Sequence, residues 1–159
     1  MDLTAPIRAR HTYVQQLTGS PDQVFPLLCP VRELDWVNGW NPRQVISSSG
    51  VAEAGCIFTT PTEDGGESLW VVTVYRPEEH RIEFLKITPG VTVGQIEIVL
   101  HPGETGGTAA HVTYAHTALS PEGERFVAGF TETAYEAFMR EWEDELNYYL
   151  ETGRKRPPA

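Results

Sequence analysis

Five histidines, His11, His80, His101, His111 and His116, and two cysteines, Cys29 and Cys56, are the groups best placed by type for metal binding or nucleophilic chemistry. Their spacing favours neither. His111 and His116 stand five apart on one β-prone run, so they face opposite ways and cannot share a metal. The cysteines are too few for a disulfide framework and lack the spacing of a metal knuckle or redox pair. No GxSxG, HExxH or glycine-rich phosphate loop is present, so no metal or cofactor is expected. One pair stands out. Tyr114 and His116 are two apart and share a strand face. A buried pair of that kind can move a proton on a bound molecule; the other reading is a hydrogen-bonded structural histidine.

These residues need elements to hold them. Residues 9–17 read as a first strand. Ser20-Pro21-Asp22 then gives a helix start, with Ser20 as N-cap and proline at the first helical position. Pro26 and Pro30 keep that helix short. From about 43 to 117, β-rich runs alternate with turn residues such as Asp64-Gly65-Gly66 and Pro89-Gly90, which predicts an antiparallel meander of six strands. Ser120-Pro121-Glu122 repeats the cap-plus-proline start. Apolar residues then recur every four positions at Phe126, Phe130, Ala134, Phe138, Trp142, Leu146 and Leu150, and Gly153 suits the stop. The expectation is one helix of about 30 residues, about 45 Å long. Nine acids stand against two arginines between 120 and 151, so its outer face carries much of the charge.

Between the first strand and the meander lies "CPVRELDWVNGW", Cys29 to Trp40. It breaks at Asn38-Gly39 and carries Trp36 and Trp40, so it allows at most one or two helical turns. Arg32 with Glu33 or Asp35 reads as a local ion pair, with Arg32 facing an acidic ligand as the other reading.

A net charge of −10 opposes nucleic acid and anionic membrane surfaces. No segment reaches the ~20 apolar residues of a membrane span, and the N-terminus lacks a signal-peptide core. A cytoplasmic single domain over 1–153 is expected, as a monomer or a homodimer, with 154–159 as a flexible basic tail.

A strand, short helices, six strands and a long helix make an α+β arrangement in which a curved seven-stranded sheet grips a straight helix and leaves a gap. That order, with "SPDQVFPLLCPVRELDWVNGW" early, "SLWVVTVYRPEEHRIEFLKITPG" in the middle and "GGTAAHVTYAHTALSPEG" before the last helix, resembles the SRPBCC superfamily. These are START/Bet v1-like helix-grip domains, and the bacterial polyketide cyclase/dehydrase-like branch is the nearest in appearance. The resemblance implies a small hydrophobic partner, lipid- or polyketide-like, held between sheet and C-terminal helix. A cyclase/dehydratase-type enzyme or a protein-interaction domain are the other readings.

The resemblance also places the short helices at the cavity mouth, where Trp36 and Trp40 would close one end or plug the edge of the core. Strand alternation points Ile82 and Phe84, Ile96, Ile98 and Leu100, and Val112, Tyr114 and His116 toward the helix; in 69–75 Trp70, Val72 and Val74 are the preferred inward set, with Leu69, Val71, Thr73 and Tyr75 as the competing one. Phe130, Ala134, Phe138 and Trp142 would face them. The expected ligand wall is therefore Trp36, Trp70, Val72, Phe84, Ile98, Tyr114, His116, Phe130, Phe138 and Trp142. Its polar tips are the Tyr114 hydroxyl, His116 and the Trp70 N–H.

Overall fold

The chain enters through β1 (Arg8–Leu17) and turns at Ser20 into α1 (Pro21–Val24), in a computed structural model that describes residues 1–159. The cap is reciprocal: Ser20 accepts from the Gln23 N–H, and Gln23 accepts from the Ser20 N–H at 2.9 Å, satisfying two end donors at once. Pro26 ends α-helical bonding, and the chain continues as a 3-10 turn at Phe25–Leu27 and another at Arg32–Asp35. The tryptophan-rich segment is thus a single tight turn, and Gly39 reverses the chain at φ 74°, a conformation that favours glycine.

The remaining strands are β2 (Gln44–Ile46), β3 (Ile57–Pro61), β4 (Glu67–Arg76), β5 (Arg81–Thr88), β6 (Thr92–Pro102) and β7 (Thr108–Ala118). They form one antiparallel sheet in the order β1-β7-β6-β5-β4-β3-β2. The six-strand meander is present as expected, and β1 closes the sheet beside β7. Strand alternation is mostly as read: Ile82, Phe84, Ile96, Ile98, Leu100 and Val112 are buried on the inner face. β4 departs from it. A bulge between Val72 and Val74 inserts one residue and flips the alternation. Tyr75, not Val74, therefore joins the core, with its ring 5.5 Å from Phe25.

The C-terminal helix is two helices, not one. α2 (Pro121–Gly129) ends at Phe130, and α3 (Glu132–Thr152) starts afresh with Thr131 as N-cap, its side chain accepting from the Ala134 N–H. Gly129 is a weak helix former, Thr131 offers a new cap, and His11 Nε2 meets the Phe130 carbonyl at 2.8 Å; together they make the break cheap. Gly123 lets α2 lie close to the sheet, since a Cβ there would meet the Val91 carbonyl oxygen at 1.9 Å.

The row of apolar residues spaced by four coincides with the buried face only in part, at Trp142 and Leu146. At 3.6 residues per turn such a row slips by about 40° each step. Tyr135, Met139, Trp142 and Leu146 are the buried set, while Ala134 is exposed and Phe138 is 48% exposed.

Polar clasps fix α3 along β1. Gln15 Nε2 donates to the Met139 carbonyl at 3.1 Å, Asn147 Nδ2 donates to the Gln16 carbonyl at 2.9 Å, and Asn147 Oδ1 accepts from the Thr18 N–H at 2.9 Å. The helix is thereby held on β1 and stands off from β4 to β6. The basic tail is not free: the Arg156 carbonyl accepts from Asn38 Nδ2 at 3.0 Å, and its guanidinium lies 3.6 Å from Asp144.

Candidate functional site

Where α3 stands off, a cavity of about 330 Å³ opens. Phe58, Trp70, Phe84, Ile96 and Ile98 form its floor from the sheet, Phe138 and Trp142 its helix side, and Val37 to Trp40 its rim. The aromatic rings brace one another: Phe58 stacks on Trp70 at 5.2 Å, and Trp40 meets both edge-on at 6.0 and 6.2 Å. Such offset and edge-to-face contacts give a wall of fixed shape.

Six of the ten residues expected to line the gap do so: Trp70, Phe84, Ile98, Tyr114, Phe138 and Trp142. Trp36 does not. It is 0% exposed, its N–H donates to the Leu27 carbonyl at 3.1 Å and its ring lies 5.2 Å from Trp142. It supports the wall from behind, and Trp40 takes the position at the rim. Val72 is sealed in the core. Phe130, at the helix break, packs on His11, His116 and Tyr135.

His116 also lies outside the cavity. Its ring crosses Gly94, where a Cβ would come within 2.9 Å of Nδ1, and meets Phe126 and Phe130 edge-on at 5.0 and 4.7 Å. Nδ1 is buried without a hydrogen-bond partner. Burial, with Lys86 adding repulsion, pushes its pKa down to about 4. The Tyr114–His116 pair, with rings 6.0 Å apart, therefore does not converge on the cavity as a proton relay.

Two charged cavity residues escaped the sequence reading, Glu33 and Lys86. Glu33 comes from the 3-10 turn. Arg32 pairs with Asp35 at 2.9 Å instead, which leaves the Glu33 carboxyl to the cavity. Asn38 anchors the turn: its N–H and Nδ2 each donate to the buried Glu145 carboxylate at 3.1 Å. Desolvation pushes the Glu33 pKa up to about 8. Lys86 continues the inward parity of Ile82 and Phe84, and its Nζ lies 4.8 Å from the centre of the Trp70 ring. Burial lowers its pKa. Desolvation, then the Glu33 charge, raises that of the Tyr114 hydroxyl.

The polar groups of the wall sort into two kinds. Those with a structural task are already bonded: Trp70 N–H to Thr60 Oγ1 at 2.9 Å, Trp40 N–H to the Pro30 carbonyl at 2.7 Å, and Asn38 to Glu145. The Glu33 carboxyl, the Lys86 ammonium and the Tyr114 hydroxyl form no side-chain hydrogen bond or ion pair, although all three line one cavity.

A second depression, of about 320 Å³, lies on the sheet face away from α3, among Arg10, Thr73, Glu83, Gln95, Glu97 and Thr113. Its carboxylates are spoken for, because Arg81 Nη2 donates to Glu83 and Glu97 at 2.7 Å each.

A curved antiparallel sheet, a C-terminal helix held off it and an apolar hollow between them define a helix-grip domain. The fold is Bet v1-like. No protein-family model matches the sequence, and no curated protein matches it. Solved structures do. The chain is similar to norcoclaurine synthase from Thalictrum flavum at 13% identity and a TM-score of 0.67, over 92% of this chain and 88% of that one. It is similar to the Mll3558 protein from Rhizobium loti at 17% identity and a TM-score of 0.64, over 91% and 99%. DynU16, from the dynemicin biosynthetic locus, aligns at 19% identity and a TM-score of 0.56, over 94% of this chain and 51% of that one. No helix of the chain is long and apolar enough to cross a membrane.

Proposed function

We propose that this protein binds a small, mostly apolar aromatic molecule of polyketide-like character in the cavity between sheet and α3. The observation that carries this reading is the 330 Å³ hollow walled largely by aromatic and aliphatic side chains, with a few polar groups left free; that is the usual make-up of a small-molecule site. Size narrows the class. An apolar cavity of about 150 Å³ accommodates benzene, so by proportion this one suits a guest of about two fused rings rather than a long acyl chain. Norcoclaurine synthase, which shares the fold, has been solved in complex with dopamine and hydroxybenzaldehyde, both compact aromatics. Binding takes precedence over cyclase or dehydratase chemistry here because His116 is turned away from the hollow.

Three of the four tryptophans, Trp40, Trp70 and Trp142, line the cavity, so the protein's own fluorescence reports occupancy. Titration with 2-naphthalenemethanol should change that emission saturably, with one molecule bound per chain. A signal that rises linearly without saturation contradicts the reading.

A further inference from the structure

The charge inside the cavity says more about the guest than its size does. We propose that the ligand is an apolar two-ring molecule carrying one carboxylate, which pairs with Lys86 and accepts hydrogen bonds from the Tyr114 hydroxyl and the Glu33 carboxyl. This deepens the binding reading above and rests on it.

Lys86 has no carboxylate within ion-pairing distance; the acidic side chains that do pair meet arginines, a histidine or Asn38 elsewhere. Its only partner is the Trp70 ring, a contact that leaves the ammonium's N–H donors free. A cation left unpaired in an apolar hollow is costly, and a guest that supplies the counter-charge relieves that cost. A neutral guest would bury Lys86 without a counter-charge, and a cationic one would add repulsion.

Glu33 does not compensate Lys86, since its carboxyl keeps its proton to about pH 8 and therefore presents an O–H. Tyr114 stays a phenol and presents another. Three donors facing one space call for an acceptor-rich group, and a carboxylate supplies two oxygens. The chain's net charge of −10 repels anions at long range, so the preference has to arise from these groups at close quarters.

The test compares two probes of equal size, 2-naphthoate and 2-naphthamide, against the wild type and Lys86→Met at neutral pH, with folding checked by circular dichroism. The wild type should bind the acid at least tenfold more tightly than the amide. Lys86→Met should erase that preference while still binding the amide. Equal affinities in the wild type overturn the inference but leave the cavity reading standing, and that comparison holds whether or not the variant folds. A preference for the acid that survives in folded Lys86→Met also overturns it. If neither probe binds the wild type, the cavity reading and the inference fall together.

Discussion

Truncation of Trp36 to alanine is expected to leave the chain largely unfolded or barely stable. The side chain is wholly buried against Trp142, and its N–H holds the Leu27 carbonyl. Removing a buried tryptophan costs about 3–5 kcal/mol, and a carbonyl stranded without its donor adds about 1–3 kcal/mol. A domain of this size has a total stability of about 5–15 kcal/mol. Trp36→Phe keeps most of the apolar body and loses the donor, so it should fall between alanine and wild type. Urea denaturation followed by circular dichroism measures both. A loss below about 1 kcal/mol for Trp36→Ala would contradict the place given to Trp36 as the brace behind the cavity wall.

Glu33→Gln should change how stability depends on pH. In the unfolded chain Glu33 ionises near 4.5, and in the native protein burial moves that to about 8. The native state therefore holds a proton that the unfolded state has lost across this window, and stability falls as pH rises through it. The contribution is complete below pH 4.5 and gone above about 8. At 1.36 kcal/mol per pH unit the ceiling is about 5 kcal/mol, and water entering by the cavity mouth trims this to about 2–3 kcal/mol. Glutamine has the shape of the neutral acid and cannot ionise. The variant should thus gain on wild type steadily between pH 4.5 and 8 and hold its lead above that. Parallel stability curves for the two proteins would show that Glu33 is solvated.

The residues that were legible in the sequence are those governed by short-range rules. Ser20, Ser120 and Gly153 mark helix ends because capping chemistry is local. Ile82 with Phe84, and Ile96 with Ile98, reveal the inner face because a strand alternates strictly. The bulge after Val72 broke that rule with no glycine or proline to announce it. The split between α2 and α3 had a local signal in Gly129 and Thr131, but the row of apolar residues spaced by four ran across it and concealed it. Lys86 could have been found, since it is two residues beyond Phe84 on the same strand. Glu33 could not: only the docking of the 3-10 turn through Asn38 and Glu145, residues far apart in the chain, decides where its carboxyl goes.

The claim beneath all of this is that the space between the sheet and α3 admits a guest. Chemical-shift mapping by NMR with 2-naphthalenemethanol tests it most directly. The indole N–H signals of Trp40 and Trp70 and the resonances of Ile96, Ile98 and Tyr114 should move together and saturate, while Gln95 and Glu97 on the opposite face stay still. Shifts gathered instead around Arg10, Glu83, Gln95 and Glu97, or spread thinly over the surface with none in the hollow, would contradict the account.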